Sequence, residues 1–94
     1  MTNYQCVLCF IETMKEELIK KAIAVLEGNF QEGGFTIPSK GLYPFQWKWD
    51  SGFIAIGLAY YDQKKAQQEL KTLLAAQWGN GFIPHIVFHT DTDT

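Results

Sequence analysis

The sequence contains no arginine. Without a guanidinium, the chain has no planar, bidentate clamp for a phosphate or a carboxylate. Its eight cations are all lysines, scattered from Lys15 to Lys71, and against ten acids they leave a net charge of −2. Nucleic-acid binding draws on a dense basic surface and is not expected. Long apolar runs are also missing, since no stretch approaches the ~18 residues a membrane-spanning helix needs. The start of the chain has neither a basic region nor a small-residue cleavage site. A cytoplasmic location without membrane association is expected, and with it reduced thiols at Cys6 and Cys9, the two cysteines of the chain.

What is present is apolar. Of 94 residues, 47% are hydrophobic and 15% aromatic, whereas a domain of this size buries only roughly 60 to 65% of its unfolded surface. So much apolar side chain in so small a core points to a covering partner or a lined site. From Lys15 to Glu27, the residues Leu18, Ile19, Ala22, Ile23, Val25 and Leu26 recur at spacings of three and four, the pattern of an amphipathic helix with a wide buried stripe. Gly28-Asn29 suits its end. The preceding residues, Tyr4 to Ile11, either extend this helix or form a short strand, with helix preferred. Gly28 to Tyr43 holds Gly33-Gly34, Pro38 and Gly41 without helical period, and is loop or short extended structure.

Ser51 is an expected N-cap for Phe53 to Tyr61. That segment is apolar on every side; its length would also allow a buried strand, but Ala55, Leu58, Ala59 and the cap favour an interior helix. Asp62 caps the next helix, Gln63 to Trp78, with Ala66, Leu70, Leu73, Leu74 and Gln77 on one face and Lys64, Lys65, Gln68, Lys71 and Thr72 elsewhere. A buried helix joined by a tight turn to a half-exposed one is the unit of an all-α toroid. After the turn at Gly79-Asn-Gly81, Pro84 keeps Phe82 to Phe88 from starting as helix, so this segment is expected to be extended and to run back towards the mouth of the toroid.

The segment from Tyr43 to Asp50, Tyr-Pro-Phe-Gln-Trp-Lys-Trp-Asp, places four aromatic rings and one acid in eight positions. Such rings either fill a core or line a pocket for something flat or ring-shaped. The pairs Cys6-x-x-Cys9 and His85-x-x-x-His89 have the internal spacings of a zinc site. The long gap between them and the extended Ile-Val-Phe run around the histidines argue against one, and neither metal nor cofactor is expected. The remaining acids have ordinary places: Asp62 as a cap, Glu16, Glu17, Glu27 and Glu69 on solvated helix faces, Asp91 and Asp93 in a polar tail.

Three stretches in register, Tyr43-Pro-Phe-Gln-Trp-Lys-Trp-Asp-Ser-Gly-Phe53, Gln77-Trp-Gly-Asn-Gly81 and Pro84-His-Ile-Val-Phe88, resemble the opening of the mannosylglycerate and glucosylglycerate hydrolase group. These are glycoside hydrolases with an (α/α)6 barrel, related to processing α-glucosidase. The resemblance runs from about Lys15 to Asp93, so residues 1–13 are set apart as a leader and 14–94 as part of a glycoside hydrolase domain. It implies an all-α fragment of the barrel, about three helices with long loops. It also implies one wall of a sugar subsite, with Tyr43, Trp47, Trp49, Asp50 and His85 at substrate-contacting positions. Phe45 and Phe53 are assigned to packing.

The family's general acid and general base match no residue of this chain. The expectation is therefore a segment of a glycoside hydrolase acting on α-linked glucosyl or mannosyl compounds, inactive alone, with a small sugar or glycoside as ligand. The alternative is a carbohydrate-binding or protein-interaction module without catalysis. An interior helix left with one open flank is expected to self-associate.

Overall fold

Two helices meeting at Asp62 organise the chain. In the computed structural model α2 spans Lys48–Tyr61 and α3 spans Gln63–Leu74. Asp62 serves both: its N–H closes α2 on the carbonyl of Leu58 at 2.7 Å, and its carboxylate accepts the Lys65 N–H at 3.1 Å to cap α3. A third helix, α1, covers Asn3–Asn29, longer than the expected Lys15 to Glu27 and continuous across residue 14. The structure describes residues 3–89, with side chains from Val7 onwards. Asp91, Asp93 and the thiol of Cys6 lie outside the described residues. Among the described residues no helix is long and apolar enough to cross a membrane.

Short antiparallel ribbons supply the rest. β1 (Phe30–Gln31) pairs with β2 (Phe35–Thr36), and β3 (Gln46–Trp47) pairs with β4 (Ile86–Val87), setting Trp47 opposite Ile86. The β1–β2 turn needs a glycine at Gly34, whose φ is +86° and whose Cβ, were there one, would lie 2.5 Å from the Gln68 side chain. The second ribbon is the expected return of the Phe82 to Phe88 segment. It brings the chain's end against the start of α2.

The helical stripes depart from the sequence pattern in three places. On α1, Leu18 and Val25 are exposed and only Ile19, Ile23 and Leu26 are half-buried; α1 meets the α2–α3 pair near its end, where Glu27 pairs with Lys65. The expected wide buried stripe is thus narrow, because α2 offers α1 little beyond the neighbourhood of Gly57. On α2, Ser51, Ala55 and Leu58 are buried against α3, while Trp49, Phe53, Ile56 and Tyr60 form a second, exposed stripe. On α3 the buried residues are Ala66, Glu69 and Leu73, so Leu70 and Leu74 face outwards instead.

Ser51 is not an N-cap. Helix α2 starts three residues earlier, and its N-cap, Trp47, makes no side-chain bond. The orphan amide of Lys48 is satisfied by the carbonyl of His85 at 2.8 Å across the ribbon. This leaves the Ser51 hydroxyl free to bond inwards.

It bonds to Glu69, which the sequence places on a solvated face and which is 0% exposed. Glu69 Oε1 accepts from Ser51 Oγ at 2.7 Å and from Gln46 Nε2 at 3.4 Å, and Oε2 accepts from Thr36 Oγ1 at 2.8 Å. Gln46 Nε2 also donates to the Glu69 backbone carbonyl at 3.0 Å. The core is therefore built around a carboxylate as much as around Phe35, Ile37, Ala55, Leu58, Ala66 and Leu73. A buried charge is retained only when such bonds replace its lost hydration.

Burial pushes the Glu69 carboxyl above its ordinary value of 4.5, and the bonds from Ser51, Thr36 and Gln46 pull it only part of the way back. The fold thus holds this proton more tightly than the unfolded chain does. Stability from Glu69 is complete below its unfolded value and is lost as pH rises through the folded one. Glu27 acts in the opposite sense, since its hydrogen bonds with Lys65 and then Tyr61 lower it. In urea unfolding across a pH series, the stability difference between the native chain and Glu69→Gln should decline as pH rises above 4.5, with the Glu27 contribution cancelling. A difference that stays flat contradicts this.

Candidate functional site

Four side chains from three segments close on one cleft of about 180 Å³: Pro38, Tyr43, Trp47 and Asp50. Its volume is below the roughly 300–1,000 Å³ of sites for drug-sized ligands, on the scale of a single small ring. Pro38 follows β2. Tyr43 is pinned by a bridge to Ser39, with its N–H donating to the Ser39 carbonyl at 3.0 Å. Trp47 ends β3, and Asp50 stands in the first turn of α2, where an acid suits the positive end of the helix.

The walls are mutually supported. The rings of Tyr43 and Trp47 meet edge to face, with centroids 5.7 Å apart at 79°. Tyr43 is half exposed, and Trp47 and Asp50 are half-buried. Among the described residues, the Trp47 indole Nε1 is the one buried side-chain polar atom without a hydrogen-bond partner. A buried donor of this kind costs free energy until an acceptor reaches it. The cleft thus offers two aromatic surfaces and a carboxylate acceptor, groups that suit the C–H faces and hydroxyls of a pyranose.

Two of the residues at expected contact positions stand outside this cleft. Trp49 is 76% exposed and packs edge-on against Phe53, 5.1 Å between centroids, as part of the open α2 stripe. The His85 side chain is exposed and faces the Phe82 ring, while its carbonyl holds the start of α2. Of the two phenylalanines assigned to packing, Phe45 meets Phe88 edge to face at 4.7 Å, and Phe53 is exposed in the same stripe as Trp49.

Behind the cleft, Gln46 turns its amide NH2 to Glu69 and its Oε1 to His89, whose Nε2 lies 2.7 Å away. That oxygen needs a donor, so His89 carries its proton on Nε2. Burial pushes His89 below its ordinary value, which favours the neutral ring, and the ring stacks on Phe35 at 4.0 Å. His89, itself exposed, is thus tied to the buried network through Gln46 and Phe35. Its pairing with Gln46 could not be read from its spacing to His85.

Sequence reasoning missed Pro38 as a wall and Gln46, Ser51 and Glu69 as the support. One signal was available for Glu69. Ala66, Glu69 and Leu73 fall at i, i+3 and i+7, the register of a buried stripe, with an acid in the middle of it.

Comparison with known proteins gives the family. The family model for the mannosylglycerate hydrolase MGH1-like glycoside hydrolase domain matches residues 43–94. A mannosylglycerate hydrolase of Selaginella moellendorffii is 48% identical over 82 residues, 87% of this chain and 17% of the relative. A glucosylglycerate hydrolase of Mycolicibacterium hassiacum is 48% identical over 77 residues, 82% of this chain and again 17% of the relative. The crystal structure of a GH63 mannosylglycerate hydrolase from Thermus thermophilus, in complex with Tris and D-glycerate, superposes with a TM-score of 0.74 at 48% identity, covering 81% of this chain and 19% of that one. The chain thus spans about a sixth of the length of the relatives it matches. Its three helices and short ribbons correspond to part of their (α/α)6 barrel. The chain belongs to the mannosylglycerate hydrolase MGH1-like glycoside hydrolase family.

Proposed function

We propose that the chain carries one wall of the sugar subsite of a glycoside hydrolase acting on α-linked glucosyl or mannosyl compounds. The observation that carries this reading is the convergence of Tyr43, Trp47 and Asp50 on one small cleft, with the buried Trp47 N–H left unpaired beside it. Mannosylglycerate and glucosylglycerate, the substrates named for relatives, are the ligands to test first. In this reading the sugar lies against Tyr43 and Trp47 and gives hydroxyl hydrogen bonds to Asp50. His85, one residue from the position opposite Trp47 on the ribbon, and Trp49, next to Asp50, are outlying contacts of the same subsite. No catalytic role is assigned within the chain: the buried Glu69 is committed to the core, and an inverting reaction needs an acid and a base facing the scissile bond from opposite sides.

Asp50 provides the test. It stands in the first turn of α2 and is not its N-cap, so its removal leaves capping untouched. Asp50→Asn and Asp50→Ala should both weaken sugar binding, followed by tryptophan fluorescence, by about 1.5 to 3 kcal/mol, the range for hydrogen bonds to a charged group. Melting temperatures should move little. Native affinity in both variants contradicts the reading.

A second reading, association through a protein interface, is favoured by the stripe Trp49, Phe53, Ile56 and Tyr60, of which Ile56 is 70% exposed. Apolar residues at consecutive helical turns with no cover mark an interface. We propose that this face self-associates when nothing else covers it. Sedimentation should show a dimer or larger species that Ile56→Lys reduces to monomer; a native chain that sediments as a monomer contradicts it.

A further inference from the structure

The cleft is lined from within residues 38 to 50, and one carboxyl group outside that stretch bonds to a residue close to Pro38, one close to Trp47 and one close to Asp50. Thr36 lies two residues before Pro38, Gln46 directly before Trp47, and Ser51 directly after Asp50. All three donate to Glu69, at 2.8 Å from Thr36 Oγ1, 3.4 Å from Gln46 Nε2 and 2.7 Å from Ser51 Oγ. Tyr43, the remaining wall, rests on Trp47. Glu69 itself is fully buried and does not line the cleft.

We propose that Glu69 is the positioning residue of the sugar subsite, setting the separation of Pro38, Trp47 and Asp50 through Thr36, Gln46 and Ser51. The proposal rests on the sugar-wall reading above and adds a residue that does not contact the ligand.

The chemistry explains why an acceptor stands here. The two Glu69 oxygens accept from the Gln46 amide and from the Ser51 and Thr36 hydroxyls. A glutamine could keep these contacts, since a hydroxyl also accepts from an amide NH2, whereas a leucine of similar size offers no acceptor and releases all three segments. Glu69→Leu is therefore the informative change. Loosening acts first on the cleft, because the helix pair keeps its apolar contacts through Ala55, Leu58, Ala66 and Leu73.

The test uses the full chain labelled with 5-fluorotryptophan, whose three fluorine resonances report on Trp47, Trp49 and Trp78 and are assigned by single Trp→Phe changes. Affinity for mannosylglycerate is measured in parallel. In Glu69→Leu, far-UV circular dichroism should keep its helical signal while the Trp47 resonance shifts or broadens, Trp78 stays in place, and sugar affinity falls about tenfold or more. Ser51→Ala, which removes a single donor beside Asp50, should displace the same resonance and lower affinity about threefold. The inference is overturned if both variants keep the native Trp47 resonance and the native affinity. Should Glu69→Leu not fold, Ser51→Ala decides by the same two readouts. Should the native chain bind no sugar, the sugar-wall reading fails by itself, and the Trp47 resonance then decides the tie: displacement supports it and an unmoved signal overturns it.

Discussion

The hydrogen bonds that satisfy the buried carboxyl group of Glu69 are the interaction on which the rest of this small structure depends. That group is fully buried, and it is reached by hydroxyls from β2 and α2 and by an amide from β3, so ribbon and helix meet there. Uncompensated, such a charge would cost more than the marginal stability of a domain this size. The compensation comes from groups far apart in sequence, and that requirement brings residues 36, 46 and 51 against residue 69 and nowhere else. Apolar burial alone is less specific, because Ala55, Leu58, Ala66 and Leu73 would tolerate other rotations of the helix pair.

The two faces of α2 show what such a constraint does to an apolar helix. One stripe, Ser51, Ala55 and Leu58, follows the polar contact into the core. The other, Trp49, Phe53, Ile56 and Tyr60, is left outside despite equal or greater hydrophobicity. A helix apolar on every side normally has neighbours on every side. In relatives roughly five times longer, such a face has far more chain available to it. The 27-residue α1, which meets the helix pair near its C-terminal end, leaves Phe10, Ile11, Leu18 and Val25 exposed as well.

Local chemistry was legible in the sequence; long-range polar pairing was not. Asp62 as a cap, the helices on either side of it, the turn at Gly79 to Gly81 and the extended return of Phe82 to Phe88 each depend on neighbours within a few positions, and each is found. The grouping of Tyr43, Trp47 and Asp50 followed from the family resemblance carried by the aromatic segment, and the fold makes them one surface. Ser51 was misplaced because a serine near a helix start favours a cap by propensity, and only the opposite helix shows that its hydroxyl is needed elsewhere. Glu69 was misplaced for the same reason: an acid on an amphipathic helix is usually solvated, and its three partners lie 18 to 33 residues away. Trp49 lies outside the cleft although it adjoins Asp50, because strand gives way to helix at Lys48 and successive positions there point to different faces.

The central claim is that the space between Pro38, Tyr43, Trp47 and Asp50 receives a sugar. Its most direct measurement is a titration of the nitrogen-15-labelled chain with mannosylglycerate, followed at the indole N–H resonances. The unpaired Nε1–H of Trp47 is the reporter, and Trp78, in the turn after α3, is the internal reference. The account predicts a saturable displacement of the Trp47 resonance with Trp78 unmoved. A Trp47 signal that stays in place up to the highest ligand concentration, or that moves no more than that of Trp78, would contradict it.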